Sequence, residues 1–253
     1  MSEDIPSGRA HWQALRADFS EDHRATLSGW LDGTSRSWHL EAVQQLATWA
    51  PPQRAVAAVL LYLDFKENSR QSSRIAAENA IDRAPIPSEL LPALPWGFFE
   101  RWDILEYDWQ LRDVLRVLES WSVDVTDAVL AVLPEQPAPR NALYIWLGKQ
   151  PPHAHILTAL ARGLADKSAP IVTRCADALA AHGEPAVPAV TEALSAPATK
   201  TRRAAAQTLE RIASPRAEAA LRAALQEERS AKTRDAMQRA LEQSASRRSP
   251  TGE

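Results

Sequence analysis

The chain has 253 residues and a single cysteine, Cys175, which excludes an internal disulfide and any zinc site built on several cysteines. That thiol lies in an alanine-rich helical run and reads as buried and inert. Glycine is scarce at eight residues, whereas prolines number eighteen, a balance that fits helices separated by short proline-containing turns. No run of about 18 apolar residues exists, so no membrane span is expected. The N-terminal MSEDIPSGRAHWQ lacks the apolar core of a signal peptide, and a cytoplasmic location is the expectation. No stretch alternates apolar and polar residues long enough to argue for a sheet. P-loop, GxGxxG, HExxH, CxxC and GxSxG motifs are all missing, so no catalytic residue and no cofactor is assigned. His153 and His155, in PPHAH, lack a third ligand nearby and read as a polar helix start, so no metal residue is assigned either.

What is present is periodicity. VLRVL and its flanks put Leu111, Val114, Leu115 and Leu118 at i, i+3, i+4 and i+7, the apolar stripe of a helix. The same spacing recurs in Val56, Val59, Leu60 and Leu63, and in Val125, Val129, Val132 and Leu133. It also groups Leu40, Val43, Leu46 and Ala47 on one face, then Leu143, Trp146 and Leu147. Leu157, Leu160 and Leu164 follow, then Val187, Val190 and Leu194, then Leu221 and Leu225. Prolines and glycines at 50–52, 136–140, 150–153 and 183–185 break these runs. Ser214–Pro215 supplies an N-cap and a first-turn proline, and Gly183 a helix-ending glycine.

Seven arginines open apolar runs: Arg36, Arg74, Arg112, Arg140, Arg174, Arg203 and Arg234, at spacings of 38, 38, 28, 34, 29 and 31 residues. Self-similarity at 20 to 50 residues is the mark of a solenoid, whose units must stack to bury a core. The arginines read as structural. At the start of a second helix, a guanidinium fork bonds an acid or a carbonyl in a neighbouring turn, with Asp64 and Asp166 as turn partners. A phosphate-binding column is the alternative for the same residues.

Residues 172–203, VTRCADALAAHGEPAVPAVTEALSAPATKTRR, resemble the HEAT-like repeat first named from phycobilisome lyases. Arg174, Ala178, Leu179, Gly183, Ala186, Val187, Pro188 and Leu194 stand at matching positions. RRAAAQTLERIASPRAEAALRAAL at 202–225 resembles it again, and RIAAENAI at 74–81 is a weaker copy. The resemblance is strongest over 153–243. It implies an all-α solenoid of about seven HEAT-like helical hairpins. A single domain is expected over 9–243, irregular near 85–110, between a loose N-terminus (1–8) and a frayed tail (244–253).

Charge and aromatics are unevenly spread. Residues 1–150 hold 14 Lys+Arg against 21 Asp+Glu and all nine tryptophans, whereas residues 151–253 hold 15 against 11. Two chemically different surfaces follow. The densest segment, LPWGFFERWDILEYDWQLRD at 94–113, groups Trp96, Trp102 and Trp109 with Asp103, Glu106 and Asp113. It reads either as packing that plugs a gap between repeats or as a surface for a basic protein partner. The stretch 200–248, with 12 Lys+Arg against 6 Asp+Glu and no aromatic, reads as a solvated face with pairs such as Glu218 and Arg222.

The function expected is a non-catalytic protein-interaction scaffold, with no membrane contact. One alternative is a nucleic-acid-binding solenoid of the HEAT-like DNA alkylation-repair glycosylase type. Those enzymes hold a cationic base with tryptophans and an aspartate, which Trp102, Asp103, Glu106, Trp109 and Asp113 faintly resemble. The acidic charge of this half argues against a phosphate backbone. A third reading, from the repeat resemblance alone, is a chromophore-lyase subunit.

Overall fold

The computed structural model describes residues 8–32, 38–68, 71–101, 108–121, 123–133 and 140–248. Among them the regular elements are all helical, with no strand. Arg36, Trp102, Asp103 and Glu106 lie outside the described residues. The chain divides into two compact units, Met1–Arg140 and Asn141–Glu253.

In the first unit the helices are α1 (Gly8–Ala17), α2 (Glu21–Asp32), α3 (Trp38–Thr48), α4 (Pro51–Asn68), α5 (Gln71–Arg83), α6 (Leu94–Phe99), α7 (Asp108–Ser120) and α8 (Thr126–Val132). Helix α4 is the centre. Ala55, Val56, Ala57, Ala58, Val59, Leu61, Tyr62 and Leu63 are all buried, so it is covered nearly all round by α5, α3, α6 and α1. Leu111, Val114, Leu115 and Leu118 of α7 are buried as their spacing requires. Helix α3 is rotated from the expected face. It buries Trp38, Ala42, Val43 and Leu46 and leaves Leu40 exposed, because the bulk of Trp38 takes the inward position.

Of the stretch near 85–110, residues 102–107 lie outside the described residues. A 3₁₀ turn at Leu91–Ala93 and the short α6 fold back under α1, where the added Cβ of an alanine at Gly97 would stand 2.6 Å from the Trp12 ring. Trp12 Nε1 donates to Glu100 Oε2 at 2.9 Å, and Arg16 Nη1 donates to the same oxygen at 3.0 Å.

The second unit holds α9 (Arg140–Leu147), which starts at the boundary, then α10 (Ala154–Gly163), α11 (Ala169–His182), α12 (Val187–Ala193), α13 (Thr199–Ile212), α14 (Pro215–Glu227) and α15 (Ala231–Arg248). Three hairpins, α10–α11, α12–α13 and α14–α15, stack in two layers. The first helices α10, α12 and α14 follow one another in one layer, and the second helices α11, α13 and α15 in the other. Leu157, Leu160, Leu164, Val187, Val190, Leu194 and Leu221 fill the space between. The expected caps are in place: Ser214 Oγ accepts from Ala217 N, and Gly183, at φ 67°, ends α11. Ala213, at φ 52°, ends α13 in the same way without a glycine's freedom. Helix α15 runs to Arg248, past the point where fraying was expected, because Ser244 is buried and donates to Glu218 Oε1 at 3.3 Å.

Candidate functional site

The arginine series separates into two groups. Arg74 lies in the first turn of α5, where its Nε donates to Glu78 Oε1 at 2.7 Å; Asp64 instead accepts from Ser73 Oγ and from Asn68 Nδ2. Arg112 is an exposed residue of α7, and Arg140 opens α9. In the second unit Arg174, Arg203 and Arg234 each fall early in a second helix, but they are out of register with one another. The buried positions Ile171, Thr201 and Thr233 correspond, as do Cys175, Ala205 and Met237. Arg174 stands one residue before its buried partner in that second set, Arg203 two and Arg234 three. On a helix each such step turns the side chain by about 100°. The expected column is therefore no single column.

The structural fork belongs to the neighbouring Arg202. Its Nε and Nη2 donate to Glu228 Oε2 and Oε1 at 2.6 and 2.9 Å, and its Nη1 donates to the carbonyls of Ala196 and Pro197, both at 2.8 Å. Glu228 is nearly fully buried and its carboxyl is pushed down to about 2, chiefly by Arg202. Val172 occupies the equivalent place on α11, and Arg234 on α15. Asp166 accepts from Ser168 N at 2.8 Å, an Asx turn just ahead of α11.

The aromatic segment also divides. Trp96, expected among binding residues, is buried with Leu94, Pro95, Phe98 and Phe99, and Arg9 lies 4.6 Å over its ring. It is packing, because α1 closes over it. Trp109 is 51% exposed at the start of α7. Asp113 stands one turn further on, where it accepts from Arg116 Nη1 at 3.2 Å. The charge of Asp113 adds to burial in pushing the Tyr62 hydroxyl up to about 12.

A built surface lies on the outer face of α11, α13 and α15. A groove of about 310 Å³ runs there between α11 and α13. Val172, Thr173 and Ala176 form one wall, Ala204, Gln207 and Glu210 the other, with Arg211 and Arg247 at its rim. Two ion pairs order the rim: Arg211 Nη1 to Asp177 Oδ1 at 2.6 Å and Arg247 Nη2 to Glu210 Oε1 at 3.1 Å. With its amide turned to satisfy both ends, Gln243 also donates to Glu210. The acids nearest the groove are thus engaged. Lys200 and Arg203 on the same stripe of α13 make no ion pair among the described residues. The Arg203 Nε is shut off from solvent and meets no acceptor among them. Sequence reasoning missed this groove because small or uncharged residues such as Thr173, Ala176, Ala204 and Gln207 on its walls carry no signal of their own.

No group of three or more His, Cys, Asp or Glu side chains among the described residues is placed to hold a metal ion. His153 and His155 stack on each other at 5.8 Å beside the start of α10. Cys175 is buried, and burial pushes its thiol up to about 12. No described helix is long and apolar enough to cross a membrane.

Residues 157–242 match HEAT repeats. The match covers α11 to α14 whole and most of α10 and α15, the region where the stacked hairpins are regular. It is to the repeat and does not extend to the phycobilisome-lyase type in particular. No curated protein and no solved structure shows a significant match to the chain.

Proposed function

We propose that the protein is a non-catalytic scaffold of HEAT-repeat type that holds a protein partner on the outer face of α11, α13 and α15. One observation carries this reading. The apolar side chains of those helices are used in stacking, whereas the opposite face carries an open groove beside Lys200 and Arg203, which make no ion pair among the described residues. A repeat array has an extended surface and little of the enclosed, convergent geometry that a reaction needs. The test is a photo-crosslinking side chain placed at Gln207 on the groove wall, and separately at Ala219, exposed on α14 in the other layer. Protein adducts from Gln207 and none from Ala219 are expected. Equal adducts from both positions, or none from either, refute the reading.

A second surface is supported by Trp109 and Asp113, one turn apart on α7 in the acidic half of the chain. An exposed indole beside a carboxylate suits a basic partner through cation–π contact and charge. Trp109→Ala is expected to leave the fold intact and to cost about 2 kcal/mol of affinity, measured by calorimetry with the captured partner. Loss of the fold instead would return Trp109 to packing.

A further inference from the structure

We infer that the groove between α11 and α13 takes an acidic, extended segment of a protein, with carboxylates on Lys200, Arg203 and Arg211 and an intervening side chain in the groove. The inference rests on the docking face proposed above and names its occupant.

The exposed stripe of α13 runs through Lys200, Arg203, Gln207 and Arg211. These residues are three or four apart and so lie along one side of the helix. Each has a distinct use. Lys200 is exposed and has no ion-pair partner among the described residues. Arg203 keeps a buried Nε without an acceptor, and leaving such a donor unsatisfied costs about 1–3 kcal/mol. A carboxylate brought to the other nitrogens of this guanidinium would meet no competing ion pair among the described residues. Gln207 is exposed on the groove wall with both an amide donor and an acceptor, the combination that reads a peptide main chain. Arg211 already holds Asp177, but its side chain is 39% exposed and keeps further donors free to the outside. Ala176 and Ala204, small residues on the two walls, leave room between them for a side chain of the bound segment.

Charge decides the sign of the partner. Residues 141–253 hold 16 Lys+Arg against 11 Asp+Glu. On this face Glu210 is held by Arg247 and Asp177 by Arg211. Arg174 on α11 and Lys232 on α15, which make no ion pair among the described residues, extend the cations to the two neighbouring helices. A polyanion with a continuous phosphate chain fits less well than separate carboxylates. Residues 147–253 contain no Phe, Tyr or Trp on which bases could stack. Asp177, Glu210 and Asp235 also interleave the cations along the face, and they would repel evenly spaced phosphates.

The probe is a short fluorescent peptide of glutamate and alanine, titrated by anisotropy onto the full chain. The controls are the same peptide with glutamine for glutamate and a single-stranded DNA oligonucleotide. The acidic peptide is expected to bind and the glutamine peptide not to. Lys200→Glu with Arg203→Glu is expected to weaken binding about tenfold or more. The same reversal at Arg216 and Arg229, in and beyond α14, is expected to leave it within about twofold. Ala204→Leu fills the groove without changing charge and is expected to weaken binding several-fold, with circular dichroism confirming an intact fold. The inference is overturned if the acidic peptide does not bind, if either α13 variant binds it as the native chain does, or if the oligonucleotide binds more tightly. A Gln207 adduct to a neutral or basic protein segment overturns this inference while leaving the scaffold reading in place.

Discussion

Arg202 ties two turns together with one guanidinium, and its removal leaves Glu228 buried and charged with its main partner gone. Breaking such a pair is costly, so Arg202→Ala is expected to lower stability by about 3 kcal/mol, read from the denaturant midpoint. Arg203→Ala, one residue on, is expected to cost far less, since no bond is broken. The pair also sets a pH dependence. Glu228 has its carboxyl pushed from 4.5 down to about 2, chiefly by Arg202. Its stabilisation is therefore complete above pH 4.5 and is lost as pH falls toward 2. The native chain should lose more stability than Glu228→Gln over that window. A second residue-scale test concerns Gly163. A Cβ there would meet Cys175 Sγ, and Tyr144 Cε1 at 2.8 Å. Gly163→Ala is expected to destabilise by about 1–3 kcal/mol through overpacking, and Cys175→Ala in the same chain should recover part of it. Glycine is required here by close approach, since no left-handed backbone is involved.

At the scale of the element, α1 shows how a short helix is held by distant residues. Ten residues form a marginal helix in isolation. Trp12, 1% exposed, fills the space that Gly97 leaves and bonds Glu100, and Leu15 is buried beside it on the same helix face. Trp12→Ala is expected to cost about 3–5 kcal/mol and to lower the thermal midpoint cooperatively; a free α1 that melts separately would contradict this. The stripes on α7, α10 and α12 were legible in the residues, because a lone apolar stripe on a helix has one way to face a core. Those on α3 and α4 were less so. Trp38 turned α3 away from Leu40, and α4 is apolar on too many sides for its spacing to choose a face.

For the whole molecule, the division at Arg140 separates two units of different charge and composition. The first 140 residues hold 13 Lys+Arg against 21 Asp+Glu and eight of the nine tryptophans, and the remainder reverses the sign of the charge. The second unit has its own continuous core between two helix layers, as stacked repeats do. Residues 141–253 expressed alone are expected to be helical and to melt cooperatively. A fragment without a cooperative transition would show that its core depends on the first unit.

Helical class and repeat architecture followed from the residues, since a period near 3.6 and recurrent units leave few packings open. The caps at Ser214 and Gly183 followed too, because their chemistry is local. Register did not. The repeat arginines recur in the sequence, but burial aligns Cys175, Ala205 and Met237, which puts those arginines out of register, and the fork expected of Arg203 falls to Arg202. Spacing along a chain fixes a side chain's direction only when the turns between helices are of equal length, and these are not. The fate of the aromatics was equally a tertiary matter. Trp96 and Trp109 read alike in one dense segment, yet α1, from the far end of the unit, covers the first and leaves the second exposed. The groove on α11 and α13 is a product of stacking alone, for alanines become walls only when two helices stand side by side.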